Sequence, residues 1–145
     1  MQYDLEITIN LPRKRVIELF DSVENLKEWQ EGLQSFTHKS GTPGQEGAQS
    51  EIVYQMGKRK IEMVETITKR NLPDEFSGTY EAPGMWNLVE NFFIEQDDNT
   101  TLWRTRNTFN CQTFMLKVMA FLMPGAFKKQ SFKYMTDFKK FAEKA

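Results

Sequence analysis

Between Leu33 and Cys111 the chain reads as strand-like segments separated by short turns, and no other feature constrains the fold so strongly. "LQSFTHKSG" runs into the turn cluster "TPGQEG", and "AQSEIVYQM" is joined through "GKRK" to "IEMVETITK". "NLPD" leads to "EFSGTYEA", "PG" to "MWNLVENFFIEQ", and "DDNT" to "TLWRTRNTFNC". Six strands linked by connections this short must run antiparallel, because a parallel crossover needs a dozen or more residues. An earlier strand is predicted where Tyr3, Leu5, Ile7 and Ile9 alternate with Asp4, Glu6, Thr8 and Asn10.

Two short helices separate that first strand from the rest. Pro12 suits a first helical turn, and Val16, Ile17, Leu19 and Phe20 share a side. Asp21 or Ser22 caps a second helix that holds Leu26 and Trp29 and ends near Gly32. After Cys111 the period becomes helical, with Thr113 as a candidate cap. The apolar segment "FMLKVMAFLMPGAFKKQ" follows, broken by Pro124 and Gly125. Beyond the break, Phe127, Ser131, Tyr134, Met135, Phe138, Phe141 and Ala142 form one stripe. The expected architecture is α+β in a single domain, residues 1–145. A curved seven-stranded sheet has one long helix to cover it, which leaves an apolar hollow between them. The segment before Pro124 is expected to close that hollow, as a hinged gate or a static bend.

Composition excludes several classes. A net charge of −1 lacks the basic field of a nucleic-acid binder. One cysteine allows no internal disulfide, and one histidine makes a His/Cys metal cluster unexpected. The N-terminal stretch has no continuous apolar run of the secretory kind, so a cytoplasmic setting is expected. The apolar run from Val118 to Phe127 is too short to span a bilayer. No phosphate loop, dinucleotide fingerprint, Ser-His-Asp set or metal motif is present, and no cofactor is expected.

"ENLKEWQEG", "GTPGQEGAQ", "GKRKIEMVETITKRNLP", "DDNTTLWRT" and the closing "FKKFAEK" appear in an order that resembles the SRPBCC superfamily, the START, Bet v 1 and polyketide-cyclase-like group. The resemblance implies the helix-grip fold: a seven-stranded antiparallel sheet wrapped around a long C-terminal helix, with a hydrophobic ligand between them. It implies no common catalytic set.

Candidate lining residues follow from alternation. On the last strand, Trp103, Thr105, Asn107, Phe109 and Cys111 mix rings with small polar groups and are expected inside, leaving Arg104 and Arg106 on the wet face. On the preceding strand, Trp86, Leu88, Glu90, Phe92 and Ile94 carry the greater apolar weight and are likewise expected inside. Glu90 would then be a lone carboxylate in an apolar wall, or else a rim residue with a partner; Glu65, grouped with Ile61, Met63 and Ile67, invites the same reading. Tyr54 and Tyr80 offer phenol hydroxyls to a ligand, or are sheet residues with one edge facing solvent. Met115, Met119 and Met123 share a helical face that suits an adaptable lining, or plain core. His38 and the lysines of the last helix read first as surface, the latter with transient membrane contact as an alternative.

Three functions fit these residues. The first is binding or transport of a hydrophobic small molecule such as a lipid, isoprenoid or polyketide-like aromatic. The second is a cyclase or dehydratase-type enzyme using a cavity carboxylate. The third is an interaction module that exposes the methionine face and docks a partner protein.

Overall fold

The computed structural model describes residues 1–145. Alternation and turn spacing produce β1 (Gln2–Ile9), then α1 (Arg13–Phe20) and α2 (Leu26–Trp29). The meander follows as β2 (Leu33–Ser40), β3 (Gln49–Met56), β4 (Arg59–Asn71), β5 (Glu75–Ala82), β6 (Met85–Asp97) and β7 (Thr100–Cys111). The chain ends in α3 (Phe114–Leu122) and α4 (Pro124–Lys144). One seven-stranded sheet results, in the order β1-β7-β6-β5-β4-β3-β2, with every pairing antiparallel.

The register fixes which side chains face α4, because residues directly opposite in an antiparallel pair share a face. Ile7 stands opposite Trp103, Leu5 opposite Thr105 and Tyr3 opposite Asn107. Across β7 and β6, Trp103 meets Phe93, Thr105 meets Asn91, and Asn107 meets Val89. The concave face continues through Phe76, Gly78 and Tyr80 of β5, then Ile61, Glu65 and Ile67 of β4, to Ser50, Ile52 and Tyr54 of β3.

This register reverses the expectation for β6. Leu88, Glu90 and Phe92 lie on the convex face, with Thr108, Arg106 and Arg104 as their respective partners. Greater apolar weight on that side does not bring it inside. Phe92 and Ile94 instead share a surface groove with Arg13, Arg104 and Arg106, whose aliphatic stems can cover apolar surface. Glu90 lies across from Arg106, which also binds Asp4 at 3.0 Å, while Arg104 reaches Glu6 at 3.3 Å. The carboxylate of Glu90 belongs to a solvated charge ladder, not to an apolar wall.

The helix that covers the sheet is seated by aromatic packing at one end. Phe138 is fully buried, with its ring centroid 5.1 Å from Trp29, 5.4 Å from Trp103 and 5.8 Å from Phe20, each edge to face. Ile9, Val16, Leu19, Phe93, Met135 and Ala142 complete this core. The space expected between sheet and helix is therefore filled at this end. Trp103, expected to line a pocket, is instead a core residue at 4% exposure, its Nε1 donating to Asn91 Oδ1 at 3.0 Å. A single helix does fill part of the concavity, because five large rings converge where α1, α2 and α4 meet.

Phe138→Ala removes the ring common to these contacts, and a loss of about 3–5 kcal/mol is expected in chemical denaturation. A loss below about 1 kcal/mol would show that this core does not seat α4.

Candidate functional site

The other end of the concave face is built differently. Several of its residues are polar, and some remain only half-buried beneath the helix. Thr105 and Asn107 of β7, Ser50 of β3 and Glu65 of β4 are buried; Val89 is half-buried, and the half-buried Tyr80 and Met63 pack against Leu33, Ile52 and Tyr54. Asn107 Nδ2 donates to Thr105 Oγ1 at 3.4 Å. Tyr3 closes the far rim: its hydroxyl shares a 2.6 Å hydrogen bond with Ser131 Oγ and lies 3.0 Å from the Phe127 carbonyl of α4.

Glu65 is the most unusual member. It is 8% exposed, forms no ion pair, and accepts one side-chain hydrogen bond, from Tyr80 Oη at 2.8 Å. Burial raises its carboxyl above the ordinary 4.5, and the Tyr80 hydrogen bond only partly offsets this. Burial and the adjacent Glu65 charge push Tyr80 well above its usual range. Tyr54 is raised by burial and by nearby Tyr134 and Glu65, and its hydroxyl donates to Gln30 Oε1 at 2.6 Å. Both phenols therefore stay protonated and serve as donors at neutral pH. Gly78 makes room beside them: a methyl group there would stand 3.1 Å from the Thr66 carbonyl oxygen and 3.7 Å from Tyr80 Oη.

No protein-family model and no curated protein matches this sequence. Solved structures do. A Thermus thermophilus protein superposes with a TM-score of 0.79 at 13% identity, covering 98% of this chain and 97% of that one. Ara h 8.0201 gives 0.78 at 13% identity over 100% and 99% of the two chains. The Zhui aromatase/cyclase from Streptomyces gives 0.78 at 10% identity over 99% and 93%. With the strand order and the C-terminal helix already described, these superpositions settle the architecture. The chain has the helix-grip, Bet v 1-like fold.

Within this helix-grip frame the residues singled out in the sequence separate into three groups. Thr105, Asn107 and Tyr54 lie on the concave face, in or beside the polar cluster. Phe109 lies further along the same face, with its ring 5.9 Å from Tyr3 and 5.1 Å from Phe127. Met115, Met119 and Met123 line nothing internal: each is exposed, Met119 at 37%, because α3 projects from the body. The helix is apolar on nearly every side, so its sequence does not show which side is covered. Leu116 and Ala120 are its less exposed positions. The chain breaks between α3 and α4 at Met123, with Pro124 opening α4. Of the last-helix lysines, Lys139 bonds the Thr8 carbonyl and Glu143, and Lys133 pairs with Glu31 and Asp137. Neither is a free membrane contact.

Tyr80 was not singled out as Glu65's partner. The signal was available in the cross-strand register, since the two residues are opposite each other in β4 and β5.

A raised carboxyl gives a defined pH dependence. Its contribution to stability is complete below about the unfolded value of 4.5 and is lost as pH rises through the higher folded value. Glu65→Gln should therefore be more stable than the parent at pH 7, with the gap closing toward pH 4.5. Denaturation midpoints across that range measure it; a constant or widening gap toward acid would contradict the assignment.

Proposed function

We propose that this chain binds a hydrophobic small molecule between the sheet and α4, with the polar end of the guest at the Glu65–Tyr80 pair. The observation that carries this reading is the Glu65 carboxyl itself. It is buried, without a cation, and holds one protein hydrogen bond where a carboxylate has room for several. Buried polar groups are normally satisfied. A guest hydroxyl or N–H would complete the set, and in the protonated state Glu65 would itself donate to a guest carbonyl. Val89, Met63 and Phe109 supply apolar wall, and Asn107 and Tyr54 add polar groups that fix orientation.

This favours a flat or extended apolar guest bearing a hydroxyl or carbonyl, as in a polyketide-like aromatic, over a purely hydrocarbon one. The aromatase/cyclase among the structural neighbours supports that class by fold alone. Loss of water from the apolar part drives affinity at about 25 cal/mol per Å².

A second reading rests on the same residue. A carboxyl with raised proton affinity beside a protonated phenol can move a proton, so a cyclase or dehydratase step is available to a suitable guest. Binding requires only the hydrogen bonds, whereas catalysis requires Glu65 to ionise and reprotonate.

Native mass spectrometry of freshly purified protein is expected to reveal a co-purifying apolar molecule. Val89→Trp, which adds bulk to the concave face opposite Asn107, should abolish binding of naphthol, read by fluorescence titration. Glu65→Leu should retain naphthalene binding while losing roughly tenfold of the preference for naphthol, the weight of one or two hydrogen bonds. Undiminished naphthol binding by Val89→Trp would refute an interior site. If a reacting guest is found, Glu65→Gln should bind it and fail to turn it over; unchanged turnover would eliminate the second reading.

A further inference from the structure

The outward surface of α3 is apolar where most helices of a water-facing protein are polar. Phe114 is 83% exposed and Phe121 84%, with Val118 between them and Leu122 next to Phe121 on the same side. A contiguous exposed apolar face of this kind marks a contact surface. The helix is held at its root. The Gln112 amide donates to the Gly84 carbonyl at 2.8 Å, and a methyl group at Gly84 would lie 2.6 Å from Thr113 Cγ2. Thr113 caps the helix by accepting from the Leu116 amide at 3.3 Å. At the other end stands the break at Met123, so α3 projects from a fixed base.

Charge separates the candidate occupants. From Asn99 to Thr136 the chain has no Asp or Glu, although the whole protein carries −1. Lys117 lies within α3, and Lys128 and Lys129 lie in the first turns of α4. None of the three is in an ion pair or a side-chain hydrogen bond, whereas Lys133 and Lys139 are.

We infer that α3 docks the protein on an anionic lipid surface, inserting Phe114, Val118, Phe121 and Leu122 while Lys117, Lys128 and Lys129 meet the head groups. An interfacial helix buries its apolar face about 5–10 Å into the head-group boundary. Nearby lysines each add on the order of 1 kcal/mol on an anionic leaflet. A second copy of the chain fits less well. Self-association through this face would bring the lysines toward their own copies with no local acid to pair them. A nine-residue helix about 13 Å long also offers far less area than a stable dimer needs. The inference stands whether or not the interior holds a guest.

The test is flotation of the full chain with vesicles of phosphatidylcholine alone and with 30% phosphatidylglycerol. Binding to the anionic vesicles is expected, weakening at least about tenfold in Lys128→Glu/Lys129→Glu and with added salt. Phe114→Ser/Phe121→Ser should lose binding as well, with unchanged circular dichroism because both rings are solvent-exposed. Three results would overturn the inference: no binding to anionic vesicles, equal binding to both vesicle types, or binding that survives Phe114→Ser/Phe121→Ser. Sedimentation velocity supplies a fourth. A dimer abolished by Phe121→Ser, without vesicle binding, would assign the face to a second copy.

Discussion

The seating of α4 by Phe138 is the contact on which the rest of the molecule depends. A sheet of seven antiparallel strands has one concave face to remove from water and only one long helix to do it with. The helix must be anchored somewhere along its length. The rings of Phe20, Trp29, Trp103 and Phe138 provide that anchor where α1 and α2 close the end of the sheet. With one end of α4 fixed, the other is held over the polar half of the face by lighter contacts, such as the hydroxyl pair of Tyr3 and Ser131.

The two halves of the interior thus obey different rules. At the aromatic end, close packing leaves the indole Nε1 of Trp29 buried without an acceptor, a cost tolerated beside so much apolar burial. At the other end polar groups are buried among apolar ones, with Tyr80, Met63 and Ile61 packed against Leu33, Ile52 and Tyr54. Glu65 sits where a charge is disfavoured, and Tyr54 and Tyr80 retain their protons beside it. Such a region contributes less to stability than the same volume packed with leucine would.

The element order was legible because turns and periodicity are local. Pro12, the glycine-rich turns and the switch of period after Cys111 each mark a boundary without reference to the rest of the chain. Facing was legible only where the two sides of a strand differ chemically. Arginines at 104 and 106 pointed β7 correctly, since an unpaired charge is costly to bury. In β6 both sides carry apolar residues, and the register with Trp103 decides; that is a tertiary fact. Trp103 reads from alternation as pocket wall, and only the convergence of α1, α2 and α4 makes it core. The same limit explains α3. A helix greasy on all sides is ordinarily enclosed, and whether it is enclosed here depends on where Gly84 and Thr113 set its root.

The pairing of β1 with β7 has a kinetic side. The meander from β2 to β7 joins strands adjacent in the chain, whereas Leu5 meets Thr105 across almost the whole sequence. Closing so long a loop is entropically slow, although the cost grows only with the logarithm of its length. During folding, β7 should therefore spend time as an unpaired edge before the first strand returns to cover it. In that interval its bare backbone amides and carbonyls are open to other chains.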